Sequence, residues 1–466
     1  MIELLRRADA VRPAIVTDEY TATYGDLLAR AEAIAAGLTE RRIARFAVLD
    51  HDAATVVALL AGASLAGAEA CQYAPTDDAA EVVTLAERFD HPVVVSSGIV
   101  TTDGGTTDGI ITDGVAGAEP GGGLHVLTPA ALAGIGAPSA RPPGERPLLI
   151  LTTGTTGTPR GVRHDWSRLL RAASRIRPAV EERWLLAYGL HQFAGLQIVM
   201  HVLAAGATLV APAPRRPREG LAAMRTHCVG QASATPTYWR FLLAELRADG
   251  GPVPPLEQIT LGGEAVPARL LGELAATFPS ARISQVYAAS EFGSSGSVRD
   301  GRNGLSLDVL ERGDDADLAM KVVDGELWVR SRIGMLGYYG EEPVDADGWR
   351  PTGDLVEITA DRILFRGRTS DVINVGGVKV HPLPIEERVG AVPGVELTRV
   401  FGRPNAMTGA IVAVDVVAAP GADTGAVGAA IREACADLPP AARPRSIRFV
   451  DEIAMAGSKI VRRDTA

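Results

Sequence analysis

Apolar residues recur at helical spacing from Tyr24 to Leu38, and Thr23 in front of them has the side chain of an N-cap, so this stretch predicts a helix. Phe46 to Leu49 reads as a short buried strand, Thr55 to Leu65 as a second helix, and Pro92 to Ser96, with three consecutive valines, as another strand. Such alternation predicts a layered α/β domain. The Gly, Thr and Asp of Thr101 to Gly123 predict surface loops or a hairpin, and the Pro/Arg-rich stretch from Ala140 to Pro147 predicts a linker. Alternation resumes from Leu148 to about Phe292. Around Glu326 to Val329 and Ile363 to Phe365 it turns to short strands and hairpins, which predicts a β-rich subdomain. After Arg368 the pattern is that of a small α+β unit, with strands near Val378, Ala410 to Val417 and Ile447 to Val450 and a helix from about Thr424 to Leu438.

Composition narrows the chemistry. A chain of 466 residues with 47% apolar content has enough material for two to four cored units. A net charge of −10 argues against sequence-independent nucleic-acid binding, which needs clustered Lys and Arg, but leaves room for one locally basic pocket. Cys71, Cys228 and Cys435 are far apart and form no CxxC or Cys/His cluster, so neither a zinc site nor a disulfide framework is expected. That sparse usage fits a reducing cytoplasm. The first residues lack an apolar signal core, and the apolar run from Val56 to Ala68 is too short to span a bilayer. It predicts a buried helix, and no membrane partner.

The clearest chemistry follows the apolar strand Leu148 to Leu151. There the chain reads Thr152-Thr153-Gly154-Thr155-Thr156-Gly157-Thr158-Pro159-Arg160-Gly161. Glycines let backbone approach a ligand closely, successive N–H groups can form an anion nest, the hydroxyls add donors, and Arg160 adds a permanent cation. This suits a polyphosphate, and it is not a Walker loop, because GxxxxGK[ST] is absent.

The segment resembles the signature loop of the adenylate-forming superfamily, which includes acyl-CoA synthetases, peptide-synthetase adenylation domains and luciferases. Arg160 stands where that family usually has Lys. Further motifs of the family follow in order. Tyr287-Ala288-Ala289-Ser290-Glu291 resembles its Tyr-Gly-x-Thr-Glu, which implies that Tyr287 borders adenine, Ser290 reaches phosphate and Glu291 binds Mg²⁺. Gly348-Trp349-Arg350-Pro351-Thr352-Gly353-Asp354 resembles its Thr-Gly-Asp motif, which implies that Asp354 holds the ribose hydroxyls. Gly367-Arg368-Thr369-Ser370-Asp371 is similar to its interdomain hinge, with Arg368 on ribose or phosphate and Ser370 at the pivot. Gly376 and Gly377 fall in a loop similar to the one lining the pantetheine tunnel. Gly457-Ser458-Lys459 resembles the terminal motif and implies that Lys459 is the catalytic lysine. Gly263 and Glu264 match a Gly-Gly-Glu turn, and His191, Gln192, Phe193 and Ala194 match the wall of the acyl pocket, which Ala288, Ala289 and Gly293 would complete.

The resemblance runs from about Arg12 to Arg463. It implies an α/β fold with a large N-terminal domain (1–367) of layered α/β subdomains plus a β-rich subdomain. A small mobile α+β C-terminal domain (371–466) would carry Lys459, hinged near 368–371. It also implies activation of a carboxylic acid by ATP and Mg²⁺ to an acyl-AMP with release of pyrophosphate, then transfer to a thiol, with CoA the expected co-substrate. Catalysis would fall to Lys459, Glu291 and Arg160. A neutral Gln192, where amino-acid-activating relatives carry Asp, favours an aromatic or similarly compact acid. Three alternatives stay open: a carrier-protein phosphopantetheine acceptor, a nitrogen acceptor, and a catalytically inactive nucleotide-binding homologue motivated by the departures at Ala288, Ser370, Pro384 and Gly457-Ser458. A homodimer is also left open.

Overall fold

Thr23 accepts from the backbone N–H of Asp26, and the Asp26 carboxylate accepts from the backbone N–H of Thr23, so a reciprocal capping box starts the helix Tyr24–Glu40. This helix packs on the nearly wholly buried helix Ala53–Ala66. A Cβ at Gly62 would lie 2.7 Å from Ile34 Cγ2 and 2.8 Å from the Ala31 carbonyl, so a glycine is what allows the two helices to approach. The computed structural model describes residues 1–98, 110–112, 124–136, 144–152, 159–313, 315–456 and 459–460. No helix among them is long and apolar enough to cross a membrane.

Two eight-stranded sheets organise the first 300 residues. In one, Pro147–Thr152 lies beside Glu69–Gln72 in parallel and beside Arg160–Asp165 in antiparallel, with Thr152 opposite Arg160. In the other, four strands run parallel from Arg183–Leu186 through Gln231–Ala234 and Gln258–Gly262 to Arg282–Ala289. There the chain turns back through residues 290–292 into Gly293–Val298. Buried Val, Leu and Ala fill the space between sheets and helices, as both-face burial of parallel strands requires.

A five-stranded antiparallel sheet follows, in the order Leu305–Ser306, Arg362–Arg368, Arg350–Ile358, Glu326–Ser331, Leu318–Val323. It sets Asp354 opposite Arg368. A short 3-10 turn, Thr369–Asp371, leads into a separate five-stranded sheet with its own apolar cluster around Val400, Val412, Val416 and Ile431.

Most predicted elements lie within a few residues of their expected bounds. The helix expected to reach Leu438 ends at Ala434, because Cys435 caps it and Pro439 and Pro440 follow. The pattern did not reveal the long strand Val395–Asn405 or the helix Pro382–Gly390, whose first turn carries two prolines. Most of the stretch 101–123 lies outside the described residues. Its strand Ile110–Thr112 pairs with Leu124–Leu127 in parallel, not as a hairpin.

Candidate functional site

The ends of these elements converge on a cavity of about 710 Å³. Its wall includes Thr152 and Arg160 from the first sheet, Gly263 and Glu264 after the strand Gln258–Gly262, and Tyr287 through Phe292 at the turn of the second. Asp354, Arg368, Asp371, Pro382 and Leu383 close the far side. Motifs more than 200 residues apart in sequence therefore share one space. Gly263 has φ +84, a left-handed conformation that favours glycine, and lets the chain leave its strand into the cavity wall. Glu264 turns back and accepts from the Thr237 N–H at 3.0 Å and hydroxyl at 2.8 Å.

Two polar networks sit in the wall. In one, the Tyr287 hydroxyl donates to Asp354 Oδ2 at 2.6 Å, and Arg368 Nε donates to Asp354 Oδ1 at 3.0 Å. Burial, with Asp354 beside it, pushes the Tyr287 phenol well above its ordinary range, so it stays a donor. The Asp354 carboxylate in turn raises the pKa of Arg368. Tyr287 is packed by Phe292 and Phe365, with ring centroids 5.2 and 4.9 Å away. A carboxylate offers about four lone-pair positions, so Asp354 keeps acceptor capacity for two hydroxyls. In the second network the Tyr338 hydroxyl donates to Glu291 Oε1 at 3.1 Å. Arg160 lies 3.4 Å over the Tyr338 ring and pairs with Glu341 at 2.6 Å. Glu291 is thereby oriented through one oxygen, leaving the other for a cation. Among the described residues no three His, Cys, Asp or Glu cluster as a metal cage. A Mg²⁺ held by one carboxylate and phosphate oxygens fits that donor set.

Not every expected site residue belongs to the described wall. Thr153, Gly154, Thr155, Thr156 and Gly157 fall outside the described residues, as does the side chain of Lys459. The backbone of Lys459 lies in the strand Lys459–Ile460, paired with Met455–Ala456. Ala288, Ala289 and Ser290 line the cavity, whereas His191, Gln192, Phe193, Ala194 and Gly293 are absent from its described wall. Phe193 belongs to the main core, stacked on the fully buried His164 with centroids 5.3 Å apart. Gln192 Oε1 accepts from the Gly189 N–H at 3.2 Å and so closes its own loop. Gly376 and Gly377 form the two-residue turn of the hairpin Ile373–Val375/Val378–Val380, with φ of +58 and +87; that turn type by itself demands glycine-like residues. Ser370 sits in the 3-10 turn and donates to Asp371 at 2.9 Å. Tyr338 and Met335 were not anticipated, since no local pattern marks a side chain that joins a site only through tertiary packing, and Asp371 was read only as part of the hinge motif.

Burial pushes His91, His164 and His191 down to about 4, with Arg45, Arg168 and Arg215 respectively adding to the effect. An unfolded histidine takes a proton near 6.5. Below that pH the unfolded chain binds protons that these folded sites refuse, so stability is full above 6.5 and falls as pH drops toward 4. Urea unfolding at pH 7, 6 and 5 is expected to show a progressively lower midpoint; a flat profile over that window contradicts neutral burial.

A family model described as AMP-binding enzyme matches residues 6–339, and one described as AMP-binding enzyme C-terminal domain matches residues 384–459. The chain belongs to the AMP-binding enzyme family. This AMP-binding enzyme is 29% identical over 298 residues to a long-chain-fatty-acid–CoA ligase of Mycobacterium tuberculosis, covering 58% of this chain and 57% of that one. It is also 29% identical over 398 residues to a medium/long-chain-fatty-acid–acyl-carrier-protein ligase of the same species, covering 73% and 69%. The chain spans about three fifths of the length of the first curated relatives it matches. Its fold is similar to the crystal structure of the anthranilate CoA ligase AuaEII in complex with anthranoyl-AMP, with a TM-score of 0.81, 18% identity, and 99% and 95% of the two chains covered.

Proposed function

We propose that this AMP-binding enzyme activates a carboxylic acid with ATP and passes the acyl group to a thiol. The observation that carries the reading is the pairing of two networks in one cavity: Tyr287–Asp354–Arg368, suited to a ribose, and Glu291–Tyr338–Arg160, suited to phosphates. A carboxylate oxygen attacks the α-phosphorus, the bond to the bridging oxygen breaks, and pyrophosphate leaves. A thiolate then attacks the acyl carbon of the mixed anhydride, and AMP departs with the oxygen. Both first-step reactants are anions. Among the described residues the cavity wall carries three arginines against four carboxylates, too little positive charge to neutralise them unaided. Mg²⁺ on Glu291 would supply Lewis-acid charge, and Lys459 a further cation. Tyr287 and Asp354 orient the nucleoside, and Glu264 shapes the turn beside it.

In this reading residues 1–367 bind ATP and the acid, residues 371–466 bring Lys459, and the two pivot about 368–371 around Ser370, so that lysine and thiol occupy the site in turn. CoA is the proposed acceptor. The carrier-protein ligase among the relatives supports a phosphopantetheine arm as the second reading, and supplying CoA or a loaded carrier protein separates them. Pyrophosphate exchange across a panel of acids tests the first step; no exchange with any acid removes the activity.

The acid is proposed to be aromatic or similarly compact. Ala288 and Ala289 put two small, uncharged side chains in the cavity wall, where a flat ring would lie. Benzoate-type acids are expected to give higher kcat/KM in pyrophosphate exchange than free α-amino acids or long fatty acids, and the reverse ranking overturns the assignment.

A further inference from the structure

We infer that Arg350 is an anion-binding residue of the cavity, taking the terminal phosphates of ATP and the pyrophosphate they become. Among the described residues three arginines reach the cavity wall: Arg160, Arg350 and Arg368. Arg160 pairs with Glu341 and Arg368 with Asp354. Arg350 has no such partner among the described residues. Both of its terminal nitrogens, Nη1 and Nη2, are shut from solvent and make no hydrogen bond among the described residues. A buried guanidinium with empty donors is costly, and a structural arginine would be expected to satisfy its fork. A ligand that brings acceptors resolves the cost.

Placement selects the ligand. Arg350 opens the strand Arg350–Ile358, four residues before Asp354, so at about 3.3 Å per residue the two Cα atoms are at most roughly 13 Å apart. Arg350 neighbours Tyr338, which donates to Glu291 and lies beneath Arg160, the groups suited to phosphates. The preceding residue, Trp349, is gripped by Lys321 at 4.5 Å and Arg330 at 5.4 Å, which anchors the start of the strand. Burial lowers the pKa of Arg350 most of all, Asp345 is the carboxylate that favours its cation, and Arg168 opposes it. An unpaired guanidinium near another cation, with two parallel donors free, is suited to a phosphate group.

The inference rests on the proposed use of ATP, and the test keeps the two apart. ATP, AMP and pyrophosphate are titrated calorimetrically, with Mg²⁺, into the full-length chain and its Arg350→Met variant. ATP and pyrophosphate affinity are expected to drop about tenfold or more, the scale of a lost charged hydrogen bond, with AMP affinity unchanged. The thermal midpoint is expected not to fall, because an unpaired buried charge has been removed. Arg350→Gln repeats the comparison should the apolar variant fail to fold. Unchanged ATP affinity, or an equal loss for AMP, overturns the role of Arg350 while leaving ATP use intact. A wild-type chain that binds neither ATP nor AMP removes both.

Discussion

Replacing Lys459 with alanine is expected to slow acyl-AMP formation by about 10²-fold or more, the usual cost of removing a preorganised charge from a transition state. The expectation follows from charge arithmetic in the cavity. Its wall holds Arg160, Arg350 and Arg368 but also Glu264, Glu291, Asp354 and Asp371, and ATP and the acid add only anions. Arg160 and Arg368 are already paired. That leaves Arg350 as the wall's one guanidinium without a carboxylate partner among the described residues, so further positive charge has to come from beyond this wall, and the terminal segment with Lys459 is the proposed source. The same variant should still convert supplied acyl-AMP to thioester, because that step expels AMP and forms no new charge at the β-phosphate. Measuring pyrophosphate exchange and thioester formation separately decides it. A loss under threefold in exchange removes Lys459 from the reaction, and equal loss of both steps removes the division of labour between the two halves.

The second large effect is expected at Asp354. Asp354→Ala should weaken ATP binding by roughly 10- to 100-fold, since a hydrogen bond to a charged group contributes about 1.5–3 kcal/mol. Asp354 is the meeting point of Tyr287, 2.6 Å from one oxygen, and Arg368, 3.0 Å from the other, so its removal also frees the two groups that set its orientation. The Arg368 side chain is half exposed and can rehydrate, so the stability cost should stay near or below ~1 kcal/mol. The KM of the acid should change little. A folded variant with unaltered ATP KM overturns the ribose assignment.

The sequence alone carried the layering and the order of the chemistry. Periodicity placed the helix Tyr24–Glu40 and the strand Pro147–Thr152, because side-chain burial repeats every 3.6 or 2 residues and needs no knowledge of the partner. The glycine- and threonine-rich loop, the Tyr287–Glu291 run and the Thr-Gly-Asp motif were legible as a nucleotide-handling set, since each compresses its chemistry into a few neighbouring residues. What they did not contain was which face each side chain takes. The sequence did not show that Phe193 stacks on His164 in the core, or that Gly376 and Gly377 form the turn of a hairpin. The contacts Tyr338 to Glu291 and Tyr287 to Asp354 span 47 and 67 residues, and only the packing of separate sheets brings them together. Arg350 shows the difference most plainly. In sequence it stands inside the Thr-Gly-Asp motif with no role of its own, but the fold withdraws its terminal nitrogens from water beside a cavity and leaves them without a partner among the described residues, and that desolvation is a property of the tertiary structure alone.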